Sequence, residues 1–402
     1  MMQATSDPNA SAEQFRCDNC GGVLLYDPGT RGLRCKHCKA QGNAQLLAGV
    51  GPGPREIPLS VGLTAPPRGL GTTSQSVQCN ECGATVTLGA EERSGACIYC
   101  ASPMVVTVPS GSSLITPESL VPFSVTHDIA AHSFQTWLKG LWFRPSDLSK
   151  LAKLEQIAGV YVPYWTFDAD VRSDWTADRG WHYQEIEEYE TEVNGETVVR
   201  TRSVTRTRWE SAWGWREDSF DDVLVCASKG VPPALVDKLT SFQTSQLVPY
   251  SPGYLSGWRA EAYVIDLPSA WQRAQKTMAE TQESRCGSDV GGDTHRSLSV
   301  RTQFARETFK HVLLPVYVAA YRYGNKPYQI LINGQTGEVV GKAPYSIWKI
   351  AFTVIAVLAV LTVIALVMMA SQDKNTLGPR GTQTSTTTPK TPPPPTTPPK
   401  KK

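Results

Sequence analysis

The longest uninterrupted apolar segment of the chain lies near its end, at Ile350–Ala370. Its 21 residues carry no charge, and Thr353 and Thr362 are its polar members. As an α-helix, a segment of this length spans about 31 Å, which is the thickness of the hydrocarbon core of a bilayer. A buried helix of a globular domain is the alternative. The segment predicts one transmembrane helix over residues 347–370.

Upstream of it, residues 120–344 carry mixed patterns that predict a mostly β domain of the α+β class. Apolar residues recur at three- and four-residue steps over His127–Trp142, which predicts a helix with Thr126 as its N-cap. A second helix is expected near Pro268–Ser284. Segments rich in β-branched and aromatic residues predict strands at Gly159–Val171, Leu313–Tyr323 and Tyr328–Asn333, the last followed by a turn.

A tight hairpin is predicted at Asn194-Gly195, the dipeptide that most strongly favours a two-residue β-turn. With this turn, Glu187 faces Arg202 and Tyr189 faces Arg200. The basic residues of the second strand therefore lie opposite or diagonal to acidic ones, and we expect neutralisation rather than a phosphate-binding patch. These basic residues are Arg200, Arg202, Arg206 and Arg208.

Two segments lack the periodicity of packed secondary structure. Residues 41–76 are rich in Gly and Pro and predict a flexible or loosely docked linker. Residues 371–402 are dominated by Pro, Thr and Lys and predict a disordered tail, because such a composition cannot bury a core.

Composition narrows the class of protein further. Of the 402 residues, 41% are apolar and 19% charged, which excludes disorder along the whole length. A mean hydropathy of −0.25 excludes a polytopic membrane protein. The formal net charge of +2 gives no overall basic field that would attract nucleic acid.

Eight of the ten cysteines form two blocks with the same internal spacing, C-x2-C-x14-C-x2-C, offset by 62 residues. Two C-x2-C pairs place four thiolates around one ion, and four thiolates with no open position form a structural zinc site. Disulfides and an iron–sulfur cluster are the alternatives. We predict two zinc ribbons, at residues 15–40 and 77–104, and two Zn²⁺ ions per chain. The predicted ligands are Cys17, Cys20, Cys35 and Cys38 in the first ribbon and Cys79, Cys82, Cys97 and Cys100 in the second.

The charges of the ribbons do not favour nucleic-acid binding. The first ribbon is basic, whereas the second has Arg93 against Glu81, Glu91 and Glu92 and a single aromatic residue, Tyr99. Strand-binding modules combine basic grooves with stacking aromatics. Protein contact or scaffolding is therefore the preferred interpretation.

No catalytic motif accompanies these features. The chain lacks a phosphate-binding G-x-x-x-x-G-K-[ST] loop, a G-x-S-x-G elbow and an H-E-x-x-H pair, so we predict that it is not an enzyme. Cys226 and Cys286 have no C-x2-C partner and are expected to be ordinary thiols. A group of three aspartates is expected to lie in a solvated turn rather than to hold a cation: Asp218, Asp221 and Asp222.

The chain resembles a family of bacterial membrane-anchored zinc-ribbon proteins of the TFIIB type, which are sometimes labelled primosomal-helicase-like. The resemblance is carried by Cys17–Gly22, Gly140–Phe143, Gly159–Trp165, Pro249–Leu255, Leu313–Tyr317 and Asn333–Glu338. It implies an adaptor associated with phage-shock protein A or with flotillin-type (SPFH) proteins in membrane-stress systems. The absent phosphate-binding loop contradicts the helicase label.

Taken together, these observations predict a multidomain, non-enzymatic adaptor that recruits protein partners to the cell membrane. Two zinc ribbons and a β-rich domain are expected in the cytoplasm, held by one C-terminal helix with the tail outside, because zinc thiolates favour a reducing compartment. The alternative is a membrane-tethered zinc-ribbon protein that binds nucleic acid without helicase activity. Nucleic acid is not expected as a partner in the preferred interpretation.

Overall fold

A computed structural model describes residues 15–48, 54–64, 76–87, 97–100, 105–108, 117–145, 157–193, 196–236, 238–239, 241–323 and 326–375. The strands are β1 Leu24–Asp27, β2 Gly32–Cys35, β3 Ile57–Pro58, β4 Ser76–Cys79, β5 Thr85–Thr87, β6 Val105–Val108, β7 Ser119–Leu120, β8 Ile157–Val193, β9 Glu196–Cys226, β10 Val248–Pro249, β11 Arg259–Ala260, β12 Thr294–Tyr323, β13 Lys326–Asn333 and β14 Val339–Gly341. The α-helices are α1 Leu59–Thr64, α2 His127–Lys139, α3 Pro233–Val236, α4 Leu267–Asp289 and α5 Ile347–Asn375. Short 3-10 helices lie at Ala44–Leu47, Thr244–Gln246 and Pro252–Leu255.

Three long antiparallel strands form the centre of the main sheet, in the order β9–β8–β12. Strand β12 continues the sheet through β13 to β14 and also pairs in parallel with β7. The predicted mostly β character with a few helices is therefore confirmed. The predicted division into separate domains is not, because residues 1–344 form one compact unit and residues 345–402 another.

The first predicted helix is confirmed, with a shorter C-terminal end. The Thr126 side chain accepts a hydrogen bond from the backbone amide of Ile129, as an N-cap should, and the helix ends at Lys139 rather than Trp142. The second helix is longer than predicted. It extends over Leu267–Asp289, and the Asp266 side chain caps it by accepting from the amide of Ser269.

The hairpin register follows the prediction from Asn194-Gly195, a dipeptide that itself lies outside the described residues. Glu187 pairs with Arg202, and Tyr189 pairs with Arg200. Strand β8 is much longer than the predicted Gly159–Val171. Buried and exposed residues alternate as far as Ala177, and pairing with β9 continues from there to Val193.

The predicted solvated turn at Asp218–Asp222 is wrong, because β9 continues through these residues to Cys226. A bulge accommodates the extra residue, and Asp222 adopts a positive φ of 51° there. Its carboxylate lies 2.9 Å from the Nζ of Lys310, which is almost fully buried and lies 4.0 Å from Asp168 as well. An ion-paired bulge therefore replaces the expected turn.

Part of the predicted linker is docked onto the main sheet. Strand β3 pairs antiparallel with β12, and Leu59 at the start of α1 is buried. Gly62 lies so close to Phe309 that a Cβ atom at this position would fall 2.2 Å from the ring. The described portion of residues 41–76 is therefore a packed element rather than a loosely docked linker.

Helix α4 covers one face of the three long strands. Its Ala270, Ala274, Met278 and Cys286 side chains recur at helical spacing and are buried against the sheet. Beneath the last turn of α4, Trp175 and Ala177 of β8 pack in the same cluster as Cys286. Side chains alternate between the two faces of a strand. Thr176, between Trp175 and Ala177, therefore points to the face of the sheet away from α4.

The second unit contains helix α5. The stretch Ile347–Met368 is long and apolar enough to cross a membrane, with a mean hydropathy of 3.0 in its most apolar window. Helix α5 continues to Asn375, so the first residues of the predicted tail are helical. The rest of that tail, residues 376–402, lies outside the described residues.

Candidate metal centres

The first cysteine quartet converges as the spacing predicts. Cys17 Sγ lies 3.6 Å from Cys38 Sγ, and Cys20 Sγ lies 3.4 Å from Cys35 Sγ. All four sulfur atoms lie within 4.8 Å of one another. In a tetrahedral site with Zn–S bonds of about 2.3 Å, neighbouring sulfurs are about 3.8 Å apart, so the donor set fits zinc.

The second quartet has nearly the same geometry. Cys79 Sγ lies 3.6 Å from Cys100 Sγ, and Cys82 Sγ lies 3.7 Å from Cys97 Sγ. These four sulfurs also lie within 4.8 Å of one another. The two predicted four-cysteine groups are therefore confirmed as groups that can hold a metal ion.

Equivalent turns hold the first two cysteines of each quartet. Gly21 and Gly83 follow the second cysteine and adopt φ values of 69° and 75°, a conformation that glycine reaches without strain. Their backbone amides donate to the carbonyl oxygens of Cys17 and Cys79, in each case at 2.8 Å. The repeated C-x2-C-G sequence thus produces the same tight turn twice.

Electrostatics within each quartet favour a bound cation. Hydrogen bonding from the Ala40 amide and from Cys20 lowers the pKa of Cys38 to about 6. The Cys82 thiol lowers the pKa of Cys97 to about 5, while the interaction with Cys97 raises the pKa of Cys82 strongly. When one thiol of such a pair loses its proton, the pKa of the other thiol rises and that thiol keeps its proton. A divalent ion that neutralises the thiolates removes this conflict, which is the chemistry that Zn²⁺ supplies when bound.

The first ribbon is docked to the β-rich region through its hairpin, β1–β2. The Tyr26 hydroxyl donates to the carbonyl oxygen of Phe123 at 3.2 Å, and the Trp258 indole donates to the carbonyl oxygen of Tyr26 at 3.1 Å. Ser256 donates to the carbonyl oxygen of Leu24 at 2.6 Å. Cys17 and several other side chains of this ribbon are part of the same buried cluster as Phe123.

The second ribbon is anchored by a buried carboxylate that sequence reasoning missed. The Tyr99 hydroxyl donates to one oxygen of Glu261 at 2.5 Å, and Ser228 donates to the other at 2.7 Å. Burial raises the pKa of Glu261 to about 7 despite these two donors. Val86 of the ribbon also forms a β-bridge with Glu261. Tyr99 is therefore a structural contact rather than an exposed stacking platform.

The two centres differ in exposure, and this difference predicts the order of metal release. Cys20 and Cys38 are exposed in the first centre, whereas Cys79, Cys97 and Cys100 are buried in the second. A chelator in solution reaches the first centre without local unfolding, so we expect biphasic zinc release with the faster phase from the first ribbon. Zinc release to a chromogenic chelator measures both phases.

Cys17→Ser should remove the fast phase and leave the slow one, and Cys79→Ser should do the reverse. Equal release rates from the two single-site variants would contradict the assignment of the phases.

The remaining candidate residues are two cysteines outside the quartets and a group of carboxylates. Cys226 is partly buried and Cys286 is fully buried, and burial raises the pKa of both thiols. Carboxylate oxygens of Glu56, Asp168 and Asp221 lie within 4.8 Å of one another. Lys310 Nζ lies 3.5 Å from Glu56, so the ammonium group already neutralises part of this cluster.

Comparison with known proteins identifies a relative that has no assigned function. An uncharacterized protein YdjG of Bacillus subtilis (strain 168) is 27% identical over 347 residues, which cover 84% of this chain and 92% of the relative. No family model matches the chain. No solved structure matches it either. The similarity therefore extends along most of both chains.

Proposed function

We propose that the protein is a membrane-anchored, non-enzymatic zinc-ribbon adaptor that brings protein partners to the cell membrane. The two four-cysteine groups and the candidate span Ile347–Met368 support the zinc-ribbon and membrane parts of this proposal. The observation that carries the adaptor part is an open sheet face with exposed tryptophans.

Two tryptophans of β9 lie on the face of the sheet opposite α4. Trp213 pairs with Thr176, and Trp215 pairs with Asp174. These partners alternate with Trp175, which is buried beneath the helix. Trp213 is 80% exposed and Trp215 is 58% exposed. Large exposed indoles are costly in water and are enriched among the residues that dominate protein–protein binding energy.

Charge partners on the same face favour a protein ligand. The Arg172 guanidinium lies 5.0 Å from the centroid of the Trp215 ring and 3.0 Å from a carboxylate oxygen of Glu217. The charge of Arg172 is thus already neutralised beside the Trp215 indole. This face of the sheet therefore carries both acidic and basic side chains and is not uniformly basic. Nucleic-acid surfaces expose uncompensated basic residues around their aromatics.

The arginines of the hairpin show the same neutralisation. Arg202 lies 3.0 Å from Glu187, and Arg206 contacts both Glu185 and Glu187. Together with the burial of Tyr99, these ion pairs support protein contact over nucleic-acid binding as the function of the chain.

The resemblance of the sequence to membrane-anchored zinc-ribbon proteins suggests the partners. We expect phage-shock protein A or a flotillin-type (SPFH) protein, bound in the context of membrane stress. Zinc thiolates are stable in a reducing compartment, so the ribbons and the β-rich region belong in the cytoplasm and the tail outside.

Replacing both exposed indoles tests the adaptor surface. With tagged full-length protein purified from membranes, W213S/W215S should capture at least about tenfold less of the phage-shock or flotillin-type partner, because such indoles typically contribute 2 kcal/mol or more to binding. Immunodetection of the co-purified partner gives the measurement.

Trp142→Ser provides the matched control, since Trp142 is 76% exposed but lies outside β9. It should leave capture unchanged, and zinc content and membrane fractionation should be the same in all three proteins. Undiminished capture by W213S/W215S would show that partners dock elsewhere.

A further inference from the structure

Within the part of the chain that the structure describes, the outer end of the β8–β9 hairpin is a two-stranded ribbon without further strands beside it. Strand β12 pairs with β8 only up to Gly180, and within the described residues Trp181–Val193 pairs with β9 alone. We call Trp181–Val193 together with Glu196–Arg208 the hairpin tip. A two-stranded ribbon is marginally stable by itself, and its open edges favour the addition of strands.

The two strands of the hairpin tip carry opposite charge. The β8 strand has five carboxylates and neither Lys nor Arg, at Glu185, Glu187, Glu188, Glu190 and Glu192. The β9 strand has four arginines and one carboxylate, at Arg200, Arg202, Arg206, Arg208 and Glu196. The hairpin tip therefore has one acidic edge and one basic edge.

Backbone groups on the acidic edge point outward. The amide of His182 donates to the Asp293 side chain at 2.7 Å, on the side away from β9. Amides alternate in direction along a strand, so those of Gln184, Ile186 and Glu188 point the same way. On β9 the backbone amides that point away from β8 belong to odd-numbered residues, including Ser203 and Thr205. Both edges thus present backbone donors and acceptors to an incoming strand.

We propose that the hairpin tip is a self-association surface, in which the basic β9 edge of one copy pairs antiparallel with the acidic β8 edge of a second copy. Repeating the register of the hairpin itself places Glu187 of the second copy opposite Arg202 of the first. Each arginine strand then lies between two glutamate strands, and the outward backbone groups of both strands form ladder hydrogen bonds.

Charge disfavours the symmetric alternatives. Pairing of two β9 edges would bring Arg200 and Arg202 of one copy beside the arginines of the other, and pairing of two β8 edges would do the same for the glutamates. Like charges directly opposite one another destabilise a strand pair. The contact is therefore head-to-tail, and because each copy keeps one free edge of each sign, it builds a row or a ring rather than a closed dimer.

A charge exchange within the hairpin tests this arrangement. The full-length variant E185R/E187R/R202E/R206E keeps opposite charges paired inside its own hairpin, with the signs at these four positions exchanged between the two strands. We expect it to associate with itself as the wild type does. In a mixture with wild type, however, each contact brings like charges together where positions 185 and 187 of one copy meet positions 202 and 206 of the other.

The measurement is co-purification of two differently tagged full-length chains from detergent-solubilised membranes. Wild type should capture wild type, and the exchanged variant should capture itself. Capture between wild type and variant should fall at least tenfold. High salt should weaken the capture of wild type by wild type and of the variant by itself. A zinc content equal to wild type verifies that the variant is folded.

K276E/E280K serves as the matched control, because it exchanges an exposed ion pair on α4 without touching the hairpin. It should be captured by wild type as efficiently as wild type itself. Equal or stronger capture between wild type and the hairpin variant would overturn the proposal, as would the absence of any capture of wild type by wild type.

Discussion

Replacing Cys79 by serine should halve the zinc content and destabilise the whole of residues 1–344, beyond the second ribbon alone. Loss of one thiolate opens a four-ligand site, and structural zinc domains fold only around their ion. Tyr99 would then leave its position beside Glu261, and that carboxylate would remain buried with Ser228 as its side-chain donor. We expect the free energy of unfolding to fall by about 4 kcal/mol, because loss of a metal is among the mechanisms that produce the largest effects of single substitutions.

Metal analysis and thermal unfolding of the full-length protein measure both effects. Cys17→Ser should also remove one zinc ion, but with a smaller loss of stability, because the contacts of Tyr26 in the first ribbon involve neutral partners. Cys226→Ser is the control, since this thiol belongs to neither quartet and both ions should stay bound. Retention of both ions in Cys79→Ser would contradict the assignment of this ligand.

The double substitution L358R/L361R should release the protein from the membrane. Both leucines lie within the candidate span Ile347–Met368. Each exchange of leucine for arginine near the middle of a spanning helix costs about 3 kcal/mol of insertion free energy, so the pair costs about 6 kcal/mol. We expect wild type in the carbonate-resistant membrane fraction and the variant in the supernatant.

L358V/L361V is the matched control, because it keeps the span apolar and should leave the protein in the membrane. In intact cells that express wild type, added protease should not cleave residues 1–340 if the ribbons face the cytoplasm. Membrane retention of L358R/L361R, or cleavage of residues 1–340 from outside, would contradict the proposed anchoring and orientation respectively.

The features that local sequence determines were predictable. The C-x2-C spacing defines each quartet because both cysteines of a pair belong to one tight turn, which Gly21 and Gly83 permit. The register of the β8–β9 hairpin follows from a two-residue turn, since every later pair is fixed once the turn is known. Thr126 identifies the start of α2 because capping involves neighbouring backbone amides.

The features that depend on distant residues were not predictable. Glu261 is an unremarkable carboxylate in the sequence, and its role appears only when Tyr99, 162 positions earlier, is packed against it. The packing of the linker depends likewise on the contact between Gly62 and Phe309. The expected turn at Asp218–Asp222 was wrong because buried Lys310 from β12 stabilises those charges within a strand.

The free hairpin tip also constrains how the length of this protein can vary among relatives. Side chains alternate between the two faces of a strand, so a single inserted residue would exchange the faces of everything beyond it. A change in β8 must be matched by an equal change in β9 to keep Glu187 opposite Arg202. Viable length variants should therefore gain or lose residues in even numbers on both strands at once, and the ribbon should lengthen or shorten symmetrically about its turn.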